Sequence, residues 1–564
     1  MKKLAFKQII IILIVLIGIN YISTFYFKRF DLTHDKRYTL SPTTLNIIKT
    51  VKQPLYIDVF LEGNFPADFR RLQDETRQLL EEFSAYNSNI IFQFVNPVEN
   101  EEELVPIMKQ FTERGLQPLN ISVTDKGKQT QEVVFPWAVA SYGNKGAKVA
   151  LLKNLLGAST EEKVISSVQH LEFAFTDALR KITTEKQKKI AILKGNGELE
   201  DYYIADFLRT VRENYFIGPF TLDSIAKQQP TQTLAALKKY DLALIAKPTE
   251  AFSEEEKEVL DQFIMNGGKT LWLVDNAPLN FTDLNNEQGM AVAAYNELNL
   301  TDMFFAYGFR LPHQLIKDEY GTPIKLASGQ LGSETQYQQY MWRFSPYIYS
   351  EGNNNPIVKN TDGIKFEFAS PIELLKNDVK KTVLLSSSQY SKSIGLPTPI
   401  SLDLVTEETK PEDYSNEDNS SKGNLPVAIL LEGKFNSMYK NRVLPFKDEK
   451  YKDTSIPTQM IVISDGDIIK NQLEKGVPLE LGFDKWTNTL YGNKEFLINC
   501  VNYLLDDNGL INIRSKDVSL PLLDREKVYQ NYTWAQILTI GLPLTLLVLF
   551  GFLFSYIRKY IYTK

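Results

Sequence analysis

The sequence predicts an α/β protein, with tandem α/β units carried between an N-terminal and a C-terminal transmembrane helix. Three observations lead there. Uncharged apolar runs stand near both ends, at 8–27 and 534–557, each long enough to cross a bilayer core of about 30 Å. Between them, short strand-like segments alternate with amphipathic helical ones. In the second α/β unit, from residue 189, the strands are nearly all apolar, as a parallel sheet covered on both faces requires.

The first run, QIIIILIVLIGINYISTFYF, is flanked by Lys2, Lys3 and Lys7 on one side and Lys28 and Arg29 on the other. It leaves through Tyr21, Phe25, Tyr26 and Phe27, where a cleavable signal peptide would end in small residues, so an uncleaved anchor is expected. The second run places Trp534 and Tyr556 at interfacial positions and holds Pro543 inside. Two spans put both termini on one side. Basic residues at the tips (Lys2, Lys3, Lys7, Arg558, Lys559, Lys564) outnumber those on the inner flanks (Lys28, Arg29, Arg525, Lys527). This favours cytoplasmic termini in the inner membrane, with most of the chain periplasmic.

An N-terminal α/β domain is expected over 41–185. Ser41 caps a helix with Pro42 at its first position. Strands at 55–63 and 90–97 flank a charged helix at 67–86, and a helix at 101–115 is stopped by Gly115. NISVTD, QEVVFP and AKVALL read as further strands, and Ser159–Glu162 opens a helix to about Ile182 by a capping box. A second α/β domain follows over 186–515: strand 189–195, helix from Leu199, strand near Phe216–Leu222, strand 241–246, helix 252–268, strand 269–275. Strand 458–467 and helix 494–507 rejoin that sheet, so 278–455, with its short strands and aromatics, is read as a β-rich insertion. Within it, 406–424 carries six acids and almost nothing apolar, the signature of a solvated loop.

Composition narrows the chemistry. Hydrophobic residues at 43% and charged residues at 23% of 564 describe folded domains. A net charge of −6 leaves no electrostatic footprint for nucleic acid. Cys500 is the sole cysteine, which excludes an internal disulfide, a cysteine-built zinc site and an iron–sulfur cluster. His34, His170 and His313 are far apart in sequence, so no metal centre and no cofactor is expected.

The motifs read as structure more readily than as catalysis. Gly267-Gly268-Lys269-Thr270 resembles the end of a phosphate loop, but Phe263 stands where a glycine is needed, and a helix precedes it while a strand follows. A helix C-cap is expected there, and no ATP hydrolysis. Gly195-Asn196-Gly197 lies between a strand and a helix, where a dinucleotide fingerprint belongs, but Glu200 replaces the third glycine. Glu198, Glu200 and Asp201 would repel a pyrophosphate. A tight turn is the expectation, with Gly195, Asn196, Gly197 and Glu198 kept as candidates for a hydroxyl-rich or cationic ligand. Asp465 and Asp467 close a strand, where α/β crevices lie, and are kept likewise; no third acid is visible beside them in sequence. Cys500 falls in the stripe Phe496, Leu497, Val501, Leu504 and is expected in the core. No catalytic residue is assigned.

DLTHDKRYTLSPTT behind an N-terminal anchor resembles the opening of auxiliary subunits of bacterial ABC transporters. KIAILKGNGELEDY resembles the strand–turn of their auxiliary domain, where Gly-His-Gly-Glu is common; Asn196 replaces that histidine. VISDGDIIKNQ and GNKEFLINCVNYLLDDNGLINIRSK look like the matching C-terminal stretch. With two terminal anchors and many aromatics, the chain is similar to the GldG-like, gliding-motility-associated auxiliary proteins of Bacteroidetes, often labelled substrate-binding. The resemblance implies a non-ATPase subunit working with a separate ABC permease and cytoplasmic ATPase, and sheets similar to glutamine-amidotransferase-like folds without their nucleophile. It further implies that the periplasmic domains meet cargo or envelope proteins. The alternative is an anchored periplasmic carbohydrate- or peptide-binding or scaffold protein independent of any transporter. A degenerate hydrolase is disfavoured by the missing nucleophile.

Overall fold

Strand alternation and capping account for the first layer of the structure. Helix α1, Pro42–Thr50, starts at Ser41, whose hydroxyl accepts from the Thr44 N–H at 3.1 Å. In β1, Leu55–Val59, the residues Leu55, Ile57 and Val59 are buried and Tyr56 is exposed, the period of two of a half-covered strand. This is a computed structural model that describes residues 11, 13–19, 31, 36–37, 39–63, 65–97, 104–125, 128–222, 228–332, 334–350, 352–407, 423–516 and 525–562. The chain divides into two units, residues up to Lys516 and residues from Asp517.

In the first unit, β1 pairs in parallel with β2, Ile90–Phe94, and antiparallel with β5, Trp137–Tyr142. The latter turns back into β6, Lys145–Ala150, giving the order β2-β1-β5-β6. Strands β3, Leu119–Asp125, and β4, Lys128–Val134, form a separate hairpin. Helices α2, Ala67–Tyr86, and α3, Thr160–Thr183, cover the sheet, with Phe83 meeting Phe175 edge-on at 6.4 Å. Ser159 and Glu162 make the expected capping box at the start of α3.

A seven-stranded sheet follows, built from β7 (Lys189–Lys194), β8 (Phe216–Thr221), β9 (Leu242–Ala246), β10 (Lys269–Leu273), β11 (Lys380–Ser386), β12 (Pro426–Gly433) and β13 (Thr458–Ile463). Their order is β11-β12-β13-β10-β9-β7-β8. The five from β13 to β8 run parallel, in the doubly wound order whose switch point lies between β7 and β9. Alternate residues feed two cores. Ile190, Ile192, Leu244 and Leu273 meet helices α4 (Ala205–Asn214) and α7 (Asn493–Leu505). Ala191, Leu193, Ile245 and Trp272 meet α5 (Pro230–Leu237) and α6 (Glu254–Met265).

Two details depart from the sequence reading. Strands β11 and β12 come from inside 278–455 yet extend the main sheet antiparallel. Val427–Leu431 is buried on both sides, an environment that only an interior strand provides. Helix α4 begins at Ala205 rather than Leu199. The Leu199 N–H donates to Ala246 O at 3.1 Å, which ties it to the end of β9 and delays the helix by nearly two turns. The remainder of 278–455 consists of small two- and three-stranded sheets around Leu315, Trp342, Phe344, Phe368 and Ile400. Of the acidic segment 406–424, residues 408–422 lie outside the described residues, as do His34 and most of the 8–27 run; residues 13–19 of that run are helical and expose their apolar side chains.

The two sheets are joined through Glu495. Its Oε1 accepts from Lys153 Nζ at 2.9 Å and Arg514 Nη2 at 2.8 Å, and Arg514 Nη1 lies 3.2 Å from His170 Nδ1. Beside it, Glu172 accepts from Ser41 N at 2.7 Å and pairs with Lys516 at 2.8 Å. Burial alone would raise the Glu495 carboxyl, but Lys153 and Arg514 outweigh it and hold it down at about 2. Burial, with Lys153 and Arg514 nearby, pushes His170 well below its usual value and keeps it neutral.

Among the described residues, one helix is long and apolar enough to cross a membrane, Tyr532–Ile561 in the second unit, with its side chains exposed. Ile537–Gly541 is π-helical, directly before Pro543. Proline lacks an N–H and crowds the carbonyl four residues back, and a π turn re-registers the ladder around it.

Because Glu495 titrates near 4.5 when unfolded and at about 2 when folded, its contribution is complete above pH 4.5 and lost as pH falls toward 2. Glu495→Gln is expected to cost about 1.5–3 kcal/mol at neutral pH and to flatten the acid limb of stability. Denaturation of both chains in detergent across that pH window checks it.

Candidate functional site

The C-terminal ends of parallel strands are where α/β folds collect ligands, and here they collect charge. Strand β9 delivers Lys247, β10 delivers Asp275 two residues beyond its end, and β13 delivers Asp465-Gly466-Asp467. All four ionisable side chains are buried. Oxygens of Asp275, Asp465 and Asp467 lie within 4.8 Å of one another.

Lys247 pairs with two of them, Asp275 and Asp467. Its Nζ is 3.1 Å from Asp275 Oδ2, donates to Asp467 Oδ2, and lies 3.3 Å from Asn280 Oδ1. To reach them it takes a φ of +54°, a left-handed conformation rarely populated by a residue with a side chain. Backbone N–H groups meet Asp465 and Asp275, while Asp467 Oδ1 is buried without a hydrogen-bond partner. Asp465 Oδ2 accepts from Glu367 N and Oδ1 from Asp467 N, each at 2.7 Å; Asp275 accepts from Gly466 N. Lys470 stands 3.3 Å from Asp467 Oδ1 at the rim. Gly466 is small for a reason: a Cβ there would come within 2.6 Å of the Lys247 side chain.

Burial, then the neighbouring Asp467 charge, raises Asp275 to about 6. Burial with Asp275 and Asp467 raises Asp465 well above the carboxylate range. Lys247 is pushed upward, as its two carboxylate partners outweigh burial. Three close carboxylates have the spacing to hold a divalent cation, but the ammonium of Lys247 already occupies that role and both oxygens of Asp465 are engaged. Chemically the cluster is an internal ion pair that pins three strand ends together.

The turn Gly195–Glu198 sits at the end of β7, at the switch point, and makes different contacts. Asn196 O accepts from the N–H groups of Thr249 and Glu250 at 2.9 Å each. Asn196 Nδ2 donates to Glu256 Oε2 at 3.1 Å, and Glu256 itself closes the capping box of α6 with Ser253. Gly195 and Gly197 have φ of +113° and +72°, and a Cβ on Gly197 would collide with Thr249. Among the described residues, Asn196 Oδ1 and Glu198 Oε1 are buried oxygens with no hydrogen-bond partner; burial raises the Glu198 carboxyl.

Of the six candidate residues, Asp465 and Asp467 belong to the charge cluster, while Gly195, Asn196, Gly197 and Glu198 form the separate turn. Sequence reasoning missed Asp275 and Lys247. Their signal was present: each stands within two residues of the end of an apolar parallel strand, and the strand-end rule applied to every strand would have gathered them. At Gly267-Gly268 the N–H groups are taken up by Ile264 O and Phe263 O, both at 2.9 Å, with Gly267 at φ +94°, the Schellman cap of α6. Cys500 is fully buried, its thiol pushed up by burial, and His313 stacks on Tyr295 at 3.4 Å.

Removing the ammonium would strand buried carboxylates. Lys247→Met is expected to cost about 3–5 kcal/mol, and Gly466→Ala to destabilise by crowding the same lysine. Thermal unfolding of the full chain in detergent measures both; an unchanged melting temperature for Lys247→Met would contradict the pinning role.

The family model described as an ABC-type uncharacterized transport system matches residues 187–500, which holds the seven-stranded sheet and its strand-end cluster. A second model, described as a domain of unknown function (DUF7088), matches residues 34–141. No curated protein matches the chain. Among solved structures, one described as the mmIFT52 N-terminal domain is similar at 12% identity, over 59% of this chain and 100% of that one, with a TM-score of 0.30; nothing about this chain follows from a likeness that loose.

Proposed function

The chain belongs to the auxiliary family of ABC-type transport systems, and from that premise we propose that it is a membrane-anchored, non-enzymatic subunit working with a separate permease and a separate cytoplasmic ATPase. The match over residues 187–500 carries the accessory role. The process served is gliding motility or export of surface components, as the GldG-like resemblance implies. Both terminal apolar segments span the inner membrane in this reading, and the domains between them stand in the periplasm. Tyr532–Ile561, exposed along its length, supplies a surface for permease helices. The sheet, glutamine-amidotransferase-like in the resemblance, serves as a framework. Support for a non-catalytic role comes from the residues: Asp275 and Asp467 at the strand ends are paired with Lys247, and the glycine pair that resembles a phosphate loop caps a helix.

Affinity purification from native membranes in mild detergent, with mass spectrometry, tests this. A permease and an ATPase are expected to co-purify and to be lost when residues 532–564 are deleted; recovery of the chain alone would contradict the proposal.

A second reading, a periplasmic carbohydrate- or peptide-binding module, draws on one observation: the unpartnered oxygens of Asn196 and Glu198 at the switch point. They suit a ligand that donates hydrogen bonds. Glycan and peptide arrays probed with wild type and Glu198→Ala would show binding lost in the variant if this reading holds.

A further inference from the structure

Between β12 and β13 the chain leaves the sheet and returns to the same point. Ser455 N donates to Phe435 O at 2.8 Å and Ser437 N to Asp453 O at 2.9 Å. Residues 437–453 therefore hang from a hydrogen-bonded neck, in the manner of an Ω-loop. The tip faces water: Asn441 takes a φ of +63° and Val443 is 91% exposed. Leu444, Phe446 and Tyr451 turn back and pack, half-buried, on the core that α6 helps to form.

Most of what seats the loop on α6 is satisfied. Asp261 accepts from Ser437 Oγ at 2.6 Å, Met438 N at 3.0 Å and Tyr307 Oη at 2.9 Å. Gln262 exchanges two hydrogen bonds with the Lys452 backbone, at 2.9 and 3.1 Å. Glu258, one turn earlier, differs. It is fully buried, and its Oε2 accepts from Phe446 N at 2.9 Å. Among the described residues, its Oε1 and the Oδ2 of Asp448 on the loop are buried oxygens without a hydrogen-bond partner.

The surrounding charges do not relieve it. Asp261 and Glu255 from α6 and Asp448 from the loop act on Glu258, and all are negative. Tyr439 of the loop faces it with a neutral phenol, its proton held by burial. Lys238 at the end of α5, with Lys450 and Lys452, faces Asp448 instead, and Lys257 is taken up by Glu254 and Asp302. Burial and like charges favour the neutral carboxyl; together they outweigh the Phe446 N–H and hold Glu258 up at about 7.

We propose that the 437–453 loop is a pH-released cover on α6, seated while Glu258 carries its proton and loosened when it ionises. The seated form binds that proton more tightly than a solvated glutamate, which titrates near 4.5. Its hold is therefore full below pH 4.5 and weakens as pH rises through about 7. Release bares the face of α6 that carries Glu254, Glu258 and Asp261. The neck lies outside β12 and β13, so the sheet stays paired.

Hydrogen–deuterium exchange of the full chain in detergent tests this, read as protection relative to the intrinsic rate at about pH 6 and about pH 8. Peptides covering 444–452 are expected to lose about tenfold in protection between them, while those of β9 and β10 do not change. Glu258→Gln keeps an acceptor for Phe446 N but cannot ionise, and is expected to be equally protected at both values. Asp448→Asn removes one like charge from a loop outside the sheet and is expected to reduce the drop. Equal wild-type protection at both values, a drop shared by β9 and β10, a drop that persists in Glu258→Gln, or one undiminished in Asp448→Asn overturns the proposal.

Discussion

Parallel strands that end side by side bring their following residues to one edge, and in this sheet three of those residues are aspartates. Asp275, Asp465 and Asp467 are buried where water cannot solvate them. Removing carboxylates from water without a counter-charge costs several kcal/mol each. Lys247 answers that demand from the end of β9, at the expense of a left-handed backbone. The loops leaving β9, β10 and β13 are therefore set by one ammonium. Glu367 N and Gly466 N, which complete the network, tie the β-rich stretch and the β13 loop to the same point.

The pairing of Lys247 with Asp275 and Asp467 ties the ends of β9, β10 and β13 to one another. The junction at Glu495 repeats the design on a second scale: one buried-side carboxylate receives Lys153 from the first domain and Arg514 from the chain's return. In the second unit, the π turn before Pro543 keeps an apolar helix continuous where proline would otherwise break it.

Much of this was legible in the residues. Apolar β7, β9, β10 and β13 announced a parallel sheet, Ser41 and Ser159 announced helix starts, and Gly267 announced a helix end, because each signal is local. Asp465 and Asp467 were visible at a strand end for the same reason. Their partners were not, since Lys247 and Asp275 lie some two hundred residues earlier and meet them only through strand order. β11 and β12 were obscured by the polar, aromatic-rich stretch around them. The start of α4 was misplaced because a tertiary hydrogen bond from Leu199 to β9 overrides local helical spacing.

The central claim is that Lys247 and the strand-end aspartates act as a unit. A double-mutant cycle on the full chain, Lys247→Met with Asp467→Asn, measures their coupling directly. Each single change should destabilise, and the double should cost less than their sum, with a coupling of about 0.5–3 kcal/mol. Strictly additive losses would contradict the account and return the aspartates to the status of a site awaiting another cation.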